Sequence, residues 1–229
     1  GGSALSAVAG GSGTSSDVGT FIGPGSRLHA QAASVSRKVA NWRTSTSDPA
    51  QQLQLALDFV QKDVRYFGTE IGVNSHKPAT PDKVLTQRFG DCKDKAGLLI
   101  ATLKALGVEA QPVLVSNTFQ DRADLLLPNP LAFDHVIARV QHGGKSWWID
   151  ATRDQQTGPL AQRQVLDYGK VLLAMDETKA LQALPTGSKQ VFQTVEDRFN
   201  LTEMNADPLL TSTITYHGIL AEYMRSWLA

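Results

Sequence analysis

One cysteine in 229 residues, no excess of either charge and no long apolar run are the first facts of this chain. A single thiol cannot close an intramolecular disulfide, so no disulfide framework and no multi-cysteine metal site is expected within the chain. One free thiol is compatible with either a reducing or an oxidising compartment. Lys plus Arg and Asp plus Glu both number 22, so no net field would draw the protein to nucleic acid or to an anionic membrane. No segment approaches the ~20 apolar residues of a membrane span, and no basic segment followed by an apolar signal core is present. The five histidines include no pair at metal-ligand spacing, so neither a metal nor a cofactor is expected. What is present is apolar content of 41%, sufficient for a core in one large domain or a domain plus part of another.

The chain is organised as helices followed by strands. Residues 1–25 are rich in Gly, Ser and Ala and read as a flexible leader. From residue 26, Leu28, Ala32, Val35, Val39 and Trp42 recur at helical spacing. Asp48-Pro49 reads as an N-cap with proline at the first helical position, and Leu53, Leu57, Val60 and Val64 form a second stripe. Residues 68–81, with two Gly and two Pro, read as a loop, followed by a short helix from Pro81 to about Arg88. Cys92, Ala96, Leu99, Leu103 and Leu106 share one face of the next helix, which Gly107 ends as a left-handed cap. The period then changes to that of strands at 108–116, 133–141 and 145–151, with a weaker fourth at 171–175. Residues 116–132 form a long loop, a candidate groove wall. Strand-like text returns at 191–200 and 211–216. This order predicts an α+β domain over 26–185, N-terminal helices packed on an antiparallel sheet, then a partial β-rich segment over 186–229.

Three residues carry the chemistry. Asp91 is a good N-cap, and Asp94 completes a reciprocal capping pattern, which puts Cys92 in the first helical turn. The unsatisfied N–H groups there favour a thiolate. Around His142-Gly143-Gly144, a hairpin closed by Gln141 opposite Gly144 sets His135 directly across from Asp150; a four-residue loop closed by Val140 and Lys145 gives the same register. Opposed side chains are ~5 Å apart at Cβ, close enough for the carboxylate to take a ring N–H. A one-residue slip would part them. A thiol, an imidazole and a carboxylate so placed suit nucleophilic attack on an amide or ester carbonyl, with His135 as base and then acid and Asp150 fixing its tautomer. Each residue also has a plainer role. Cys92 lies on an apolar stripe where core cysteines are common, His135 alone could be a surface or core histidine, and Asp150 could cap the turn at Ala151-Thr152.

Other residues join this site more loosely. The oxyanion would rest on the Cys92 backbone N–H and a second donor, for which Tyr66 is a candidate. His76 could line the groove, and Trp148, on the same face as Asp150, could shield the pair from water. Lys93-Asp94-Lys95 reads as a solvated face.

The blocks Phe59-Val60-Gln61 with Val64-Arg65-Tyr66, Phe89-Gly90-Asp91-Cys92-Lys93-Asp94-Lys95-Ala96, Phe133-Asp134-His135-Val136 and Trp148-Ile149-Asp150-Ala151-Thr152 resemble the bacterial transglutaminase-like superfamily in residue and order. The resemblance covers roughly residues 26–185. It implies a papain-like α+β core with a catalytic triad of Cys92, His135 and Asp150. It implies a peptide or protein substrate, with the enzyme acting as peptidase, amidase or protein-glutamine transglutaminase; inactive relatives leave a non-catalytic peptide-binding module as the alternative. The subgroup it resembles carries flanking β domains and is typically exported, which implies a periplasmic or secreted protein. The Cys-Lys-Asp context replaces the commoner Cys-Gly-Asp or Cys-Val-Glu.

Overall fold

The computed structural model describes residues 33–68, 77–126, 130–175, 178, 180–185, 191–201 and 209–228. The expected leader over 1–25, the expected first part of the next helix with Leu28 and Ala32, and His76 lie outside them. The chain divides into two compact units, Gly1–Thr186 and Gly187–Ala229.

In the first unit, helix α1 (Ala33–Ser45) buries Val35, Val39 and Trp42, the stripe its spacing predicts. Helix α2 (Pro49–Asp58) starts where Asp48 accepts the Ala50 N–H at 3.0 Å and Pro49 needs no acceptor. It buries Leu53 and Leu57, then widens into a π-helical turn, Phe59–Asp63, before Val64 extends. The turn leads into β1 (Arg65–Tyr66). Helix α3 (Pro81–Gln87) ends on Arg88 at φ +62°, and the chain then enters β2 (Phe89–Gly90), parallel to β1 with Tyr66 opposite Gly90.

Helix α4 (Cys92–Ala105) is the centre of the unit. Ala96, Leu98, Leu99, Ile100, Thr102 and Leu103 are all buried, so little of the helix meets water. Gly107 ends it at φ +83°, the left-handed cap expected. The sheet runs in the order β5-β4-β3-β6-β7, all neighbours antiparallel: β3 (Glu109–Val115), β4 (His135–His142), β5 (Lys145–Ile149), β6 (Lys170–Leu173) and β7 (Gln182–Ala183). Alternation sends Ala138, Val140 and Ile149 into the main core with α1, α2 and α4. Val113, Val115 and Ile137 join Tyr168 and Val171 in a second cluster, and Val136 meets Cys92 and Ala96 in a third.

The hairpin register departs from expectation. His142 pairs with Lys145 across a two-residue turn in which Gly143 and Gly144 both have positive φ, +61° and +71°. That is the geometry two glycines favour in a tight hairpin. The register is therefore shifted by two residues from the one expected. A shift of two keeps every side chain on its face, so His135 and Asp150 remain on a common face as diagonal neighbours rather than a directly opposed pair.

In the second unit, β8 (Gln193–Asn200) and β9 (Leu209–Tyr216) form an antiparallel hairpin, and helix α5 (Gly218–Leu228) follows. The sequence reading anticipated the strands and missed the helix. Among the described residues no helix is long and apolar enough to cross a membrane.

Candidate active site

Cys92 is the first residue of α4. Asp91 caps that helix by accepting the N–H groups of Lys93 (2.9 Å) and Asp94 (3.1 Å), and the Asp94 carboxylate accepts the Asp91 N–H in return. The Cys92 N–H, at the first helical position, stands outside the helix's own hydrogen-bond ladder. Asp94 also accepts the Ala79 N–H at 2.7 Å, which ties the approach to α3 to the cysteine turn. Gly90 is required here. A Cβ on it would lie 2.6 Å from the Asp94 Cβ.

The sequence reading took 93–95 for a solvated face, and the structure corrects it. Lys93 is buried and pairs with Asp91 at 2.7 Å. Lys95 is fully buried and donates to the backbone carbonyls of Gln61 (3.1 Å) and Val64 (2.5 Å). It meets carbonyls that the π-helical turn leaves without helical partners. Burial lowers the Lys95 pKa to about 8, against the opposing charges of Asp154 and Asp150.

His135 opens β4, and Asp150 directly follows β5. The two are joined by a 2.9 Å contact between His135 Nε2 and Asp150 Oδ2, with side chains only 11% and 4% exposed. With Nε2 engaged by the carboxylate, Nδ1 is the nitrogen left for a thiol. The Cys92 side chain packs against Val136, next to His135 in the chain, and acts on the same ring. Burial pushes the imidazole down, but the hydrogen bonds to Asp150 and Cys92 and their charges outweigh it, raising the His135 pKa to about 10. Burial would raise Asp150, yet its bonds to His135 and Thr152 hold it below the usual carboxylate range. The structure thus brings together all three residues singled out from the sequence.

Asp150 is held from every side. Thr152 donates its N–H (2.9 Å) and hydroxyl (2.7 Å) to Oδ1, while Tyr168 donates its hydroxyl to Oδ2 at 3.1 Å. The Asp150 carbonyl accepts from Gln61 Nε2 at 2.7 Å, and the same amide reaches Gln156. Arg163 completes the group by donating to Gln61 Oε1 and, at 2.8 Å, to Asp58.

Sequence reasoning missed Tyr168. It is 2% exposed, and its ring centroid lies 5.9 Å from that of His135. The nearest available signal was the Tyr168-Gly169 step. Gly169 has φ +63°, and a Cβ there would lie 2.3 Å from the Asp121 backbone nitrogen. Trp148 packs in the same cluster as Tyr168, but the aromatic side chain that touches Asp150 is Tyr168. Tyr66 lies across from Gly90, two residues before Cys92, with its side chain half exposed. Among the described residues no group of three His, Cys, Asp or Glu could hold a metal ion.

A helix headed by a thiol, packed on an antiparallel sheet that supplies an imidazole and a carboxylate, defines a papain-like α+β core. The sequence profile of the transglutaminase-like superfamily matches residues 34–155, more than half of the chain, and the chain belongs to that superfamily. Among solved structures it is similar to a candidate protease of Parabacteroides distasonis, with a TM-score of 0.55 and 15% identity over 75% of this chain and 32% of that one. A candidate cysteine protease of Cytophaga hutchinsonii aligns at a TM-score of 0.42 and 23% identity, over 60% of this chain and 42% of that one. The chain therefore spans less than half the length of either. Comparison with curated proteins returns no match.

Proposed function

We propose that this protein is a thiol-dependent enzyme that acts on amide bonds of a peptide or protein through a Cys92 thioester. The observation that carries the reading is the buried His135–Asp150 pair with the Cys92 side chain acting on the same imidazole. His135 Nδ1 takes the thiol proton, and Asp150 holds the imidazolium that results. The thiolate attacks the carbonyl carbon. The developing oxyanion is met by the Cys92 N–H at the head of α4, with Tyr66 as the candidate second donor. The imidazolium then protonates the leaving amine, and the thioester is resolved by water or by a second amine. Water gives a peptidase or amidase; an amine gives a transglutaminase. We favour hydrolysis, because water is always available to the thioester. The family membership and the solved neighbours named for proteolysis support this reading. We further propose, from the resemblance to exported relatives, that the protein works in the periplasm or outside the cell, and that 26–185 is the catalytic domain with 186–229 a separate module.

The test is incubation with a peptide library, with and without a primary amine, followed by mass spectrometry. Cleavage or deamidation that is lost in Cys92→Ala is expected. No Cys92-dependent product in either arm, together with alkylation of Cys92 at the free-thiol pKa of ~8.5, would favour the peptide-binding alternative.

A further inference from the structure

Asp150 Oδ2 is shared. It takes the ring N–H of His135 at 2.9 Å and the Tyr168 hydroxyl at 3.1 Å, while Oδ1 is filled by Thr152. Every acceptor site on the carboxylate is thus used, and the Tyr168 ring lies beside the imidazole. We propose that Tyr168 is a positioning residue for the triad, which fixes the rotation of the Asp150 carboxylate and draws off part of its charge, so limiting how tightly Asp150 holds the His135 proton.

Three observations carry this. The hydroxyl is a donor and stays one, since burial and the charge of Asp150 both raise its pKa. The residue is buried among Val113, Val115, Ile137 and Val171, so its ring has little room to turn. Its backbone is held as well. Leu184 donates to the Gly169 carbonyl at 2.7 Å, and Lys170 pairs with Asp124 in the 3-10 turn that Gly169 abuts. A hydroxyl so constrained sets the carboxylate plane rather than following it.

The physical consequence has a sign. A hydrogen bond donated to a carboxylate stabilises its charge and weakens its pull on a second donor. Without the hydroxyl, Asp150 holds the imidazolium more strongly, and His135 gives up its proton at higher pH. Proton delivery to the leaving amine then slows, while the substrate surface is untouched.

The role in turnover rests on the triad reading above, so the experiment includes an arm that needs no turnover. Tyr168→Phe is made in the full chain and, separately, in the Cys92→Ala background, where the His135 ring is titrated by NMR. The His135 midpoint is expected to rise by about one unit in Tyr168→Phe. With an intact Cys92, kcat against an amide substrate should fall about tenfold with KM unchanged. Should Tyr168→Phe not fold, fluorotyrosine at 168 serves instead. It is a stronger donor, and the His135 midpoint should fall. An unchanged or oppositely moved midpoint overturns the proposal, as does a loss of kcat fully explained by a lower Tm with the titration unaltered. Absence of turnover in the wild-type chain would count against the enzyme reading alone.

Discussion

The His135–Asp150 pair makes stability depend on pH with a sign that one substitution should remove. In the folded chain His135 is raised from 6.5 to about 10, with the Asp150 hydrogen bond the largest contribution in that direction. Its contribution is fully present below pH 6.5 and is lost as pH climbs toward 10, because the native state keeps a proton that the unfolded state has released. One such proton gives a slope approaching about −1.4 kcal/mol per pH unit. Asp150→Asn, made in a Cys92→Ala background so that no thiolate contributes, removes the cause. Burial alone then acts on the ring and pushes its pKa down, so both states are neutral above about pH 7 and the slope falls to near zero.

Lys95 titrates in an overlapping range and must be separated. Its folded pKa of about 8 lies below the ordinary 10.5, so its own contribution makes stability rise with pH. It is present in both chains and largely cancels in the difference. Losing the Asp150 charge lowers Lys95 further, which widens the difference rather than masking it. The assay is urea unfolding of both chains from about pH 6 to 9, with ΔG from linear extrapolation. Asp150→Asn also lowers stability, by ~3 kcal/mol near pH 6, since it breaks a buried hydrogen-bonded pair, and the gap narrows as pH rises. The diagnostic is the slope, which should differ by about 1 kcal/mol per unit between pH 7 and 8. Parallel pH curves would refute the claim that Asp150 holds a proton on His135.

Two further substitutions test the surroundings. Cys92→Ala should abolish turnover yet cost only ~1 kcal/mol by urea unfolding, because the thiol packs against little more than Ala96, Val136 and Ala174; a large loss would favour the core-cysteine role. Gly90→Ala should cost ~1–3 kcal/mol, since its Cβ would meet that of Asp94 at 2.6 Å and disturb the cap that seats Cys92; a chain as stable as wild type would show that the cap tolerates the shift.

What could be read from the sequence was whatever local chemistry determines. The Asp48-Pro49 cap, the Asp91/Asp94 capping box and the apolar stripes of α1 and α2 are decided by neighbours within a turn or two, and each is found where expected. The β4–β5 register was misread by two because several loop lengths fit His142-Gly143-Gly144 until the dihedral angles choose among them. The site survived that error through parity alone. Helix α5 was missed although Leu220, Tyr223, Met224 and Trp227 recur at helical spacing; the strand-like text before it was extrapolated through it. Tyr168 and Lys95 were hidden for a different reason. Their partners are 18 and more than 30 residues away, and nothing beside them in the sequence announces burial.

Those distant partners converge on one short segment. The π-helical turn Phe59–Asp63 sends the Gln61 side chain to the Asp150 carbonyl, while the Gln61 backbone carbonyl receives Lys95 from the cysteine helix. One residue thus ties the helix of Cys92 and the strand that leads into Asp150 to the same turn. Buried groups such as the Lys95 ammonium and the Arg163 guanidinium would be costly alone. Here Lys95 has two carbonyls, and Arg163 has Gln61, Gly158 and Asp58. A purely apolar packing could match their stability but not their directionality, because hydrogen bonds fix angles as well as distances. The separation of thiol, imidazole and carboxylate is therefore set by this polar cluster as much as by the sheet that carries two of the three.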